Sequence, residues 1–272
     1  MNVHALPQPM LQVDHVSLEY ADAGRVVRAT HRVSFDVHEA DRFVLLGPSG
    51  CGKSTLLKAV AGFHAPSEGQ IRLDGAPVAA PGPDRGVVFQ EFDQLAPWKT
   101  VQQNVEFGLR VARRLGRAEA RERAGDALDK VGLTAFADAF PHTLSGGMKQ
   151  RVAIARALAM QPRVLLMDEP FAALDALTRQ RMQAQLLELW EQVHFTLLFV
   201  THSIDEALVV GNRVLLLSPH PGQVRAELNA HQFDAGSGAS VAFQQASAHI
   251  HRLLFDAPQA PTPLRTRAEA HA

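Results

Sequence analysis

The sequence contains a single cysteine, Cys51, among its 272 residues. This excludes an internal disulfide, and such low cysteine usage is typical of a reducing compartment, so the cytoplasm is the expected location. Cys51 lies within a glycine-rich stretch, which makes its thiol a candidate target for thiol reagents.

An excess of charge of one sign is also lacking, because 27 Lys and Arg residues stand against 28 Asp and Glu residues. No net field favours nucleic acid or an anionic membrane surface, so we do not expect nucleic acid as a partner. The sequence has no apolar run near the about 18 to 20 residues that a membrane-spanning helix needs. Its start, MNVHALPQPMLQV, has no basic region followed by an apolar core. We therefore expect any role at a membrane to depend on a partner.

The order of the predicted elements indicates an α/β fold. Short apolar runs before residue 90 predict strands at Leu11–Tyr20, Val33–Val37, Phe43–Leu46, Ile71–Leu73 and Gly86–Gln90. One helix, from Lys53 to the region of Gly62, interrupts these strands. Helical spacing dominates residues 100–160, and strands alternate with helices again after Pro162. Alternation of this kind predicts a mainly parallel sheet with helices on its faces.

The helical middle of the chain is therefore predicted as an insertion between two halves of an α/β core. We predict one domain over residues 1–230, with a helical subdomain inserted at about residues 92–160. Residues 231–272 are predicted to form a short C-terminal helix, around Phe243–Phe255, and a loose tail rich in proline.

The stretch GPSGCGKST, residues 47–55, follows a predicted strand and opens a predicted helix. Its glycines allow a tight turn whose backbone N–H groups point at anionic oxygens, and the helix start adds positive potential. Lys53 would reach the β- and γ-phosphates of a nucleotide, and Ser54 would bind Mg²⁺. The predicted nucleotide contacts are Gly47, Pro48, Ser49, Gly50, Cys51, Gly52, Lys53, Ser54 and Thr55.

Two adjacent acids, Asp168 and Glu169, end the apolar run that starts at Val164. Asp168 is placed to hold Mg²⁺, and Glu169 to orient an attacking water. The alternative for either carboxylate is that it caps the next helix. Two adjacent acids suit hydrolysis by water, whereas a kinase would need a pocket for an acceptor.

A second glycine-containing helix start occurs in LSGGMKQR, residues 144–151. This stretch resembles the signature motif of the ATP-binding subunits of ABC transporters. The resemblance implies two subunits that meet head to tail, with the signature of one covering the γ-phosphate held by the other. In this chain the signature residues are Ser145, Gly146 and Gly147.

Further motifs similar to those of ABC ATPases occur in order along most of the chain. The resemblance implies that Tyr20 stacks on adenine, that Gln90 senses Mg²⁺ and the attacking water, and that His202 contacts the γ-phosphate. Asp175, in AALD, would lie at the dimer interface. Tyr20 is alternatively an ordinary strand aromatic, and His202 a structural histidine. The fold implied is that of a P-loop NTPase, with a RecA-like mixed sheet core, an antiparallel β subdomain and an inserted α-helical subdomain.

Three stretches, at residues 81–90, 97–109 and 215–224, resemble the ATPases of taurine, alkanesulfonate and nitrate importers. The resemblance implies an ATP-hydrolysing homodimer that drives uptake of a small anionic or sulfonate/nitrate-type solute. Its partners would be separate permease subunits and, indirectly, a solute-binding protein, with the ATPase peripheral on the cytoplasmic side of the plasma membrane. The alternative is a soluble ABC-type ATPase that acts on nucleic acid or ribosomes. The sequence departs from the family pattern at Asp41-Arg42, usually Gly-Glu, and at Ser203, where Asp is common.

Apolar and aromatic residues next to Gln90 predict the surface that receives a cytoplasmic helix of the permease. The alternative is that these side chains pack the helical subdomain itself. The residues concerned are Phe92, Leu95, Trp98, Val105 and Phe107.

Overall fold

The structure, a computed structural model, describes residues 8–22, 25–90, 94–234 and 236–255. Within these ranges the chain forms two β-sheets and seven α-helices. In chain order the elements are β1 (Leu11–Asp22), β2 (Arg25–Val37), β3 (Arg42–Leu46), α1 (Lys53–Val60), β4 (Glu68–Leu73), β5 (Ala76–Pro77), β6 (Arg85–Val88), α2 (Val101–Val111), α3 (Arg117–Lys130), α4 (Gly146–Ala159), β7 (Val164–Asp168), α5 (Ala176–Val193), β8 (Thr196–Thr201), α6 (Ile204–Val210), β9 (Arg213–Leu217), β10 (Val224–Asn229) and α7 (Val241–Phe255).

The central sheet has the strand order β10-β9-β3-β8-β7-β6. Strands β9, β3, β8, β7 and β6 are parallel, and β10 pairs antiparallel with β9, so the sheet is mixed, as the sequence predicts. Strands β3, β7 and β8 are almost wholly buried runs of aliphatic and aromatic side chains, as expected for a parallel sheet covered on both faces. Their carboxyl ends meet at one edge of the sheet, and three of the predicted site segments leave from that edge.

The second sheet is antiparallel, with the order β2-β1-β4-β5. Its apolar side chains, among them Val13, Leu18 and Val33, share one buried cluster with Leu45 of β3 and Leu57 of α1. This cluster fixes the antiparallel sheet to the β3–α1 unit.

The helices α2, α3 and α4 pack against one another in the segment predicted to be helical. Helix α2 starts at a capping box formed by Thr100 and Gln103. Val101, Val105 and Leu109 are fully buried, as their spacing predicts. The C-terminal helix α7 packs on α6 and β9, so it belongs to the same folded body. The division of the chain at residue 230 stays a prediction.

The structure differs from the predicted strands at β2, β5 and β10. Strand β2 starts at Arg25 rather than Val33, and β5 and β10 were not predicted. The side chains of β10 are exposed or half-buried, so this edge strand has no apolar run that would mark it in the sequence. No helix in the described part of the chain is long and apolar enough to cross a membrane.

Candidate active site

The nine predicted phosphate-loop residues span the β3–α1 connection, residues 47–52, and the first three residues of α1. Gly50 and Gly52 have φ angles of 78° and 92°, in the left-handed region that favours glycine. A Cβ atom on Gly52 would lie 2.6 Å from the carbonyl oxygen of Ala29 on β2. The loop therefore depends on glycine at this position both for its backbone conformation and for its contact with β2.

Lys53 is buried, and its ammonium group lies against the loop. Its Nζ donates to the carbonyl oxygens of Gly47, at 2.8 Å, and Pro48, at 3.0 Å. A cation is thus held at the turn where the sequence predicts phosphate. The Cys51 side chain is also buried, and burial raises the pKa of its thiol. The expectation that this thiol is open to reagents is therefore wrong for this conformation, because the side chain points into the protein.

The connection between β9 and β10 packs against the phosphate loop and β2. Gly222 donates its N–H to the Ala29 carbonyl at 3.0 Å and accepts from the N–H of His31 at 2.9 Å. A Cβ atom on Gly222 would lie 2.1 Å from the carbonyl oxygen of Cys51. Sequence analysis missed this supporting role of Gly222, although it falls in a stretch that resembles one importer subgroup.

Ser54 and Asp168, both predicted to hold Mg²⁺, meet at the edge of the central sheet. The Ser54 hydroxyl donates to Oδ1 of Asp168 at 2.7 Å. Burial raises the pKa of the Asp168 carboxyl, and the Ser54 hydrogen bond partly offsets this effect. A hydroxyl and a carboxylate oxygen in contact are the ligand types that Mg²⁺ prefers, so the two side chains fit this ion.

Glu169 and His202 form a second pair beside Asp168. Oε2 of Glu169 lies 2.9 Å from Nδ1 of His202, and the His202 ring is about half exposed. Glu169 has a φ angle of 44°, unusual for a residue other than glycine. Its N–H donates to the Val200 carbonyl at 3.0 Å, which holds this conformation in place. Backbone strain of this kind concentrates at functional sites.

A buried network anchors the turn that carries His202. Thr201 donates its hydroxyl to Oε2 of Glu206, and Gln183 of α5 donates to Oε1 at 3.0 Å. The N–H of Ser203 donates to the Thr201 hydroxyl at 3.0 Å. The Ser203 hydroxyl in turn caps α6 by accepting from the N–H of Glu206. Ser203 therefore acts here as a helix cap, and sequence analysis missed Glu206 and Gln183 because their pairing depends on tertiary packing.

Asp41 and Arg42 are the other departure from the family pattern, and they contact residues of β9 and α5. Asp41 accepts from Nη1 of Arg213 at 2.7 Å. The Arg42 guanidinium lies over the Trp190 ring of α5, 4.2 Å from its centroid. Both side chains stabilise the central sheet rather than the phosphate loop.

Tyr20 and Gln90 are exposed, and the structure does not bring them to the site by a side-chain contact. Tyr20 lies on β1 with its side chain 46% exposed, and Gln90 follows β6. Among the described residues, no hydrogen bond joins Gln90 to Asp168 or Glu169. Their roles toward adenine, Mg²⁺ and water stay predictions.

Ser145 and Asp175 open neighbouring helices. The Ser145 hydroxyl caps α4 by accepting from the N–H of Met148, and the Asp175 carboxylate caps α5 by accepting from the N–H of Thr178. That backbone hydrogen bond holds the pKa of Asp175 below its ordinary value. A Cβ atom on Gly147 would lie 3.4 Å from the Thr178 methyl, so the two helix starts pack together. Within the described ranges, no hydrogen bond joins residues 145–147 to the phosphate loop.

Comparisons with known proteins show which family the chain resembles. The family model described as ABC transporter matches residues 30–172. The taurine import ATP-binding protein TauB of Rhizobium johnstonii is 55% identical over 81% of this chain and 84% of its own length. TauB of Burkholderia pseudomallei is 48% identical over 79% of this chain and 82% of its own length.

Two solved structures have a similar fold. One is a dimeric post-hydrolysis state of the ATP-binding cassette MJ0796 bound to ADP and phosphate. It has a TM-score of 0.71 and 34% identity, over 82% of this chain and 100% of that one. The other is cbiO1 of Clostridium perfringens, part of an ABC transporter complex. It has a TM-score of 0.74 and 30% identity, over 90% of this chain and 95% of that one.

Proposed function

This chain belongs to the ABC transporter family and is an ATPase, and from that premise we propose that it drives uptake of a small sulfonate. The observation that carries ATP hydrolysis, the step that would drive this uptake, is the meeting of Ser54, Asp168, Glu169 and His202 at one edge of the sheet, beside the phosphate loop. The import names of the relatives support the direction of transport and the class of solute. They do not favour the alternative of a soluble ATPase acting on nucleic acid or ribosomes.

The phosphate loop and Lys53 would bind the phosphates of ATP. Loop N–H groups and the start of α1 supply partial positive charge, and the Lys53 ammonium would exchange its two carbonyl partners for phosphate oxygens. Ser54, Asp168 and Gln90 would hold Mg²⁺, which neutralises negative charge on the phosphate oxygens when bound. The exposed ring of Tyr20 would stack on adenine.

Glu169 would orient the attacking water and accept its proton, and His202 would contact the γ-phosphate. The Glu169–His202 contact fixes both side chains, and the Val200 carbonyl fixes the Glu169 backbone. Both groups are thus positioned before ATP arrives, which lowers the cost of ordering them during hydrolysis. Water then attacks the γ-phosphorus, and the bond to the β–γ bridging oxygen breaks.

Replacing Glu169 tests this assignment. We expect Glu169→Gln to keep ATP binding and to slow hydrolysis by about 100-fold or more, because the amide cannot accept the proton from water. Glu119→Gln, at an exposed carboxylate of α3, is the matched control and should hydrolyse ATP at the parental rate. Steady-state phosphate release measures the hydrolysis rate, and a nucleotide-binding assay measures ATP affinity. Parental hydrolysis by Glu169→Gln would remove the catalytic role of this residue.

Permease subunits would bind the exposed face of the helical subdomain. Trp98, Phe107 and Val111 have exposed side chains, and they line a groove of about 570 Å³ with Arg110 and Arg117. A groove that combines exposed apolar and charged side chains suits a short amphipathic helix of a partner. The prediction that Leu95 and Val105 belong to this surface is wrong, because both side chains are buried in the subdomain. Phe92 lies outside the described residues.

Cross-linking tests the proposed permease surface. Cys51 is buried, so a cysteine introduced as Trp98→Cys offers one exposed thiol. We expect it to cross-link to the purified permease in reconstituted membranes, whereas Val241→Cys on α7 should not. Equal yields from both positions would contradict the proposed surface.

The solute class is tested in cells. In this proposal the chain is a peripheral subunit on the cytoplasmic face of the plasma membrane, and a separate solute-binding protein delivers the solute. A deletion strain should lose uptake of radiolabelled taurine and regain it with the intact gene, but not with Glu169→Gln. Normal taurine uptake in the deletion strain would exclude this solute without affecting the ATPase assignment.

A further inference from the structure

The Gln94 side chain bonds to the backbone of Phe89, the residue before Gln90. Its Oε1 accepts from the N–H of Phe89 at 3.2 Å, and its Nε2 donates to the Phe89 carbonyl at 2.9 Å. The Gln94 side chain thus pairs with both polar groups of the residue immediately before Gln90. Two hydrogen bonds in opposite directions restrict where Gln90 can lie.

Arg156 of α4 holds Gln94 in turn. Its Nη1 donates to the Gln94 carbonyl at 2.7 Å, and its Nη2 donates to Gln94 Oε1 at 3.3 Å. A planar guanidinium that donates to two acceptors fixes orientation as well as distance. The Arg156 side chain is half-buried, and burial lowers the pKa of its guanidinium.

Helix α4 connects this contact to the signature motif. Ser145 caps one end of α4, and Arg156 lies 11 residues further on, about 16 Å along the axis at 1.5 Å per residue. A single helix is stiff over this length, so a shift of Ser145 along the helix axis moves Arg156 with it. The bridge from Arg156 through Gln94 then reaches Phe89 and Gln90.

We propose that Arg156 is a positioning residue that, through Gln94, sets the place of Gln90 relative to the signature at Ser145. The bridge would hold Gln90 where it can approach Mg²⁺ and the attacking water. The inference rests on the proposed function, because that function gives Gln90 its role in hydrolysis. It adds the two residues, Gln94 and Arg156, that position Gln90 for this role.

Kinetics of Gln94→Ala and Gln90→Ala test the inference. Gln94→Ala removes both bonds to Phe89, and we expect kcat to fall about tenfold, since misplacement by about 1 Å can cost up to about 100-fold. The KM for ATP and the urea midpoint should stay within about twofold and about 0.3 M of the parent. The double variant should be no slower than Gln90→Ala alone, because both changes remove one function.

Arg156 variants separate positioning from packing. Arg156→Lys keeps the charge and one donor, so it should recover part of the kcat that Arg156→Ala loses. If Arg156→Ala does not fold, the Gln94 series decides the question alone. Additive losses in the double variant, or a parental kcat in Gln94→Ala beside a slow Gln90→Ala, would overturn the inference while leaving the proposed function intact. A parental rate in Gln90→Ala would instead remove the proposed role of Gln90, and the inference with it.

Discussion

Glu206 is a buried carboxyl group whose ionisation affects the stability of the turn that carries His202. Burial raises the pKa of Glu206 above its ordinary value, and hydrogen bonds from Thr201 and Gln183 offset part of this rise. As pH rises above the ordinary glutamate value of about 4.3, the unfolded chain loses this proton before the folded chain does. The raised pKa therefore costs stability progressively as pH rises from about 4.3 through the folded-state pKa.

Glu206→Gln should remove this cost. The new amide can accept from Gln183 and donate to the Thr201 hydroxyl, so the network keeps its contacts. We expect the free energy of unfolding of the variant to rise relative to the parent as pH increases above about 4.3. Urea unfolding of both proteins from about pH 4 to about pH 8 measures the difference. A difference that does not change with pH would contradict the raised pKa.

Gln150 is fully buried on α4, and in the described part of the chain neither amide atom has a hydrogen-bond partner. An unsatisfied buried polar group costs about 1 to 3 kcal/mol. Gln150→Met keeps the approximate shape and removes the polar atoms, so it should raise the free energy of unfolding by about 1 kcal/mol.

The matched control is Gln183→Met, at a buried glutamine that does bond to Glu206. We expect this control to lower the free energy of unfolding, because it removes the donor to Oε1 of Glu206 and leaves only the Thr201 hydroxyl. Denaturant unfolding of the two variants gives the comparison. Destabilisation by Gln150→Met would show that its amide is satisfied in solution, for example by an internal water.

Among the secondary-structure elements, the β9–β10 connection determines the position of the phosphate loop. Gly222→Ala places a methyl group against the Cys51 carbonyl, where only 2.1 Å is available, so the loop must shift. We expect ATP affinity to fall about tenfold or more, because the loop N–H groups lose their alignment with the phosphates. Titration with a fluorescent ATP analogue measures the change.

Gly125→Ala is the control for this substitution. Gly125 lies in α3, and a Cβ atom there meets open space. The change should leave ATP affinity unaltered and stabilise the helix by up to about 1 kcal/mol. Equal affinity in Gly222→Ala and Gly125→Ala would show that the connection does not support the loop.

The elements that the sequence predicted well are those with strong apolar periodicity or continuous apolar runs. Helical spacing of Val101, Val105 and Leu109 predicted α2, and the apolar runs that end at Thr201 and Asp168 predicted β8 and β7. The missed strands β5 and β10 are short or solvent-facing, and their place depends on hydrogen bonds to a neighbouring strand. Such pairing is not encoded in a local pattern.

At the scale of the whole molecule, we expect ATP to join two copies of the chain. The signature at Ser145 makes no hydrogen bond to the phosphate loop within the described residues, and the similar MJ0796 structure is a dimer. Slow hydrolysis in Glu169→Gln should leave ATP bound, so this variant should double its mass when ATP is added.

Adding Ser145→Arg should return the Glu169→Gln protein to a monomer, because the larger side chain blocks the helix start that would meet the γ-phosphate. Ala118→Arg, at an exposed position of α3, adds the same charge and should leave the dimer intact. Light scattering with and without ATP measures the mass of Glu169→Gln alone, with Ser145→Arg and with Ala118→Arg. A Glu169→Gln protein that binds ATP and stays monomeric would exclude the two-subunit mechanism.

The sequence by itself determined the phosphate loop and the acidic pair, because each is a contiguous strand-to-helix segment whose geometry is local. Tertiary structure alone decided that Ser54 meets Asp168, 114 residues away, because strands β3 and β7 end at the same edge of one parallel sheet. It also decided that Leu95 is buried while Trp98 is exposed. These outcomes depend on long-range packing, which joins residues that no local sequence pattern connects.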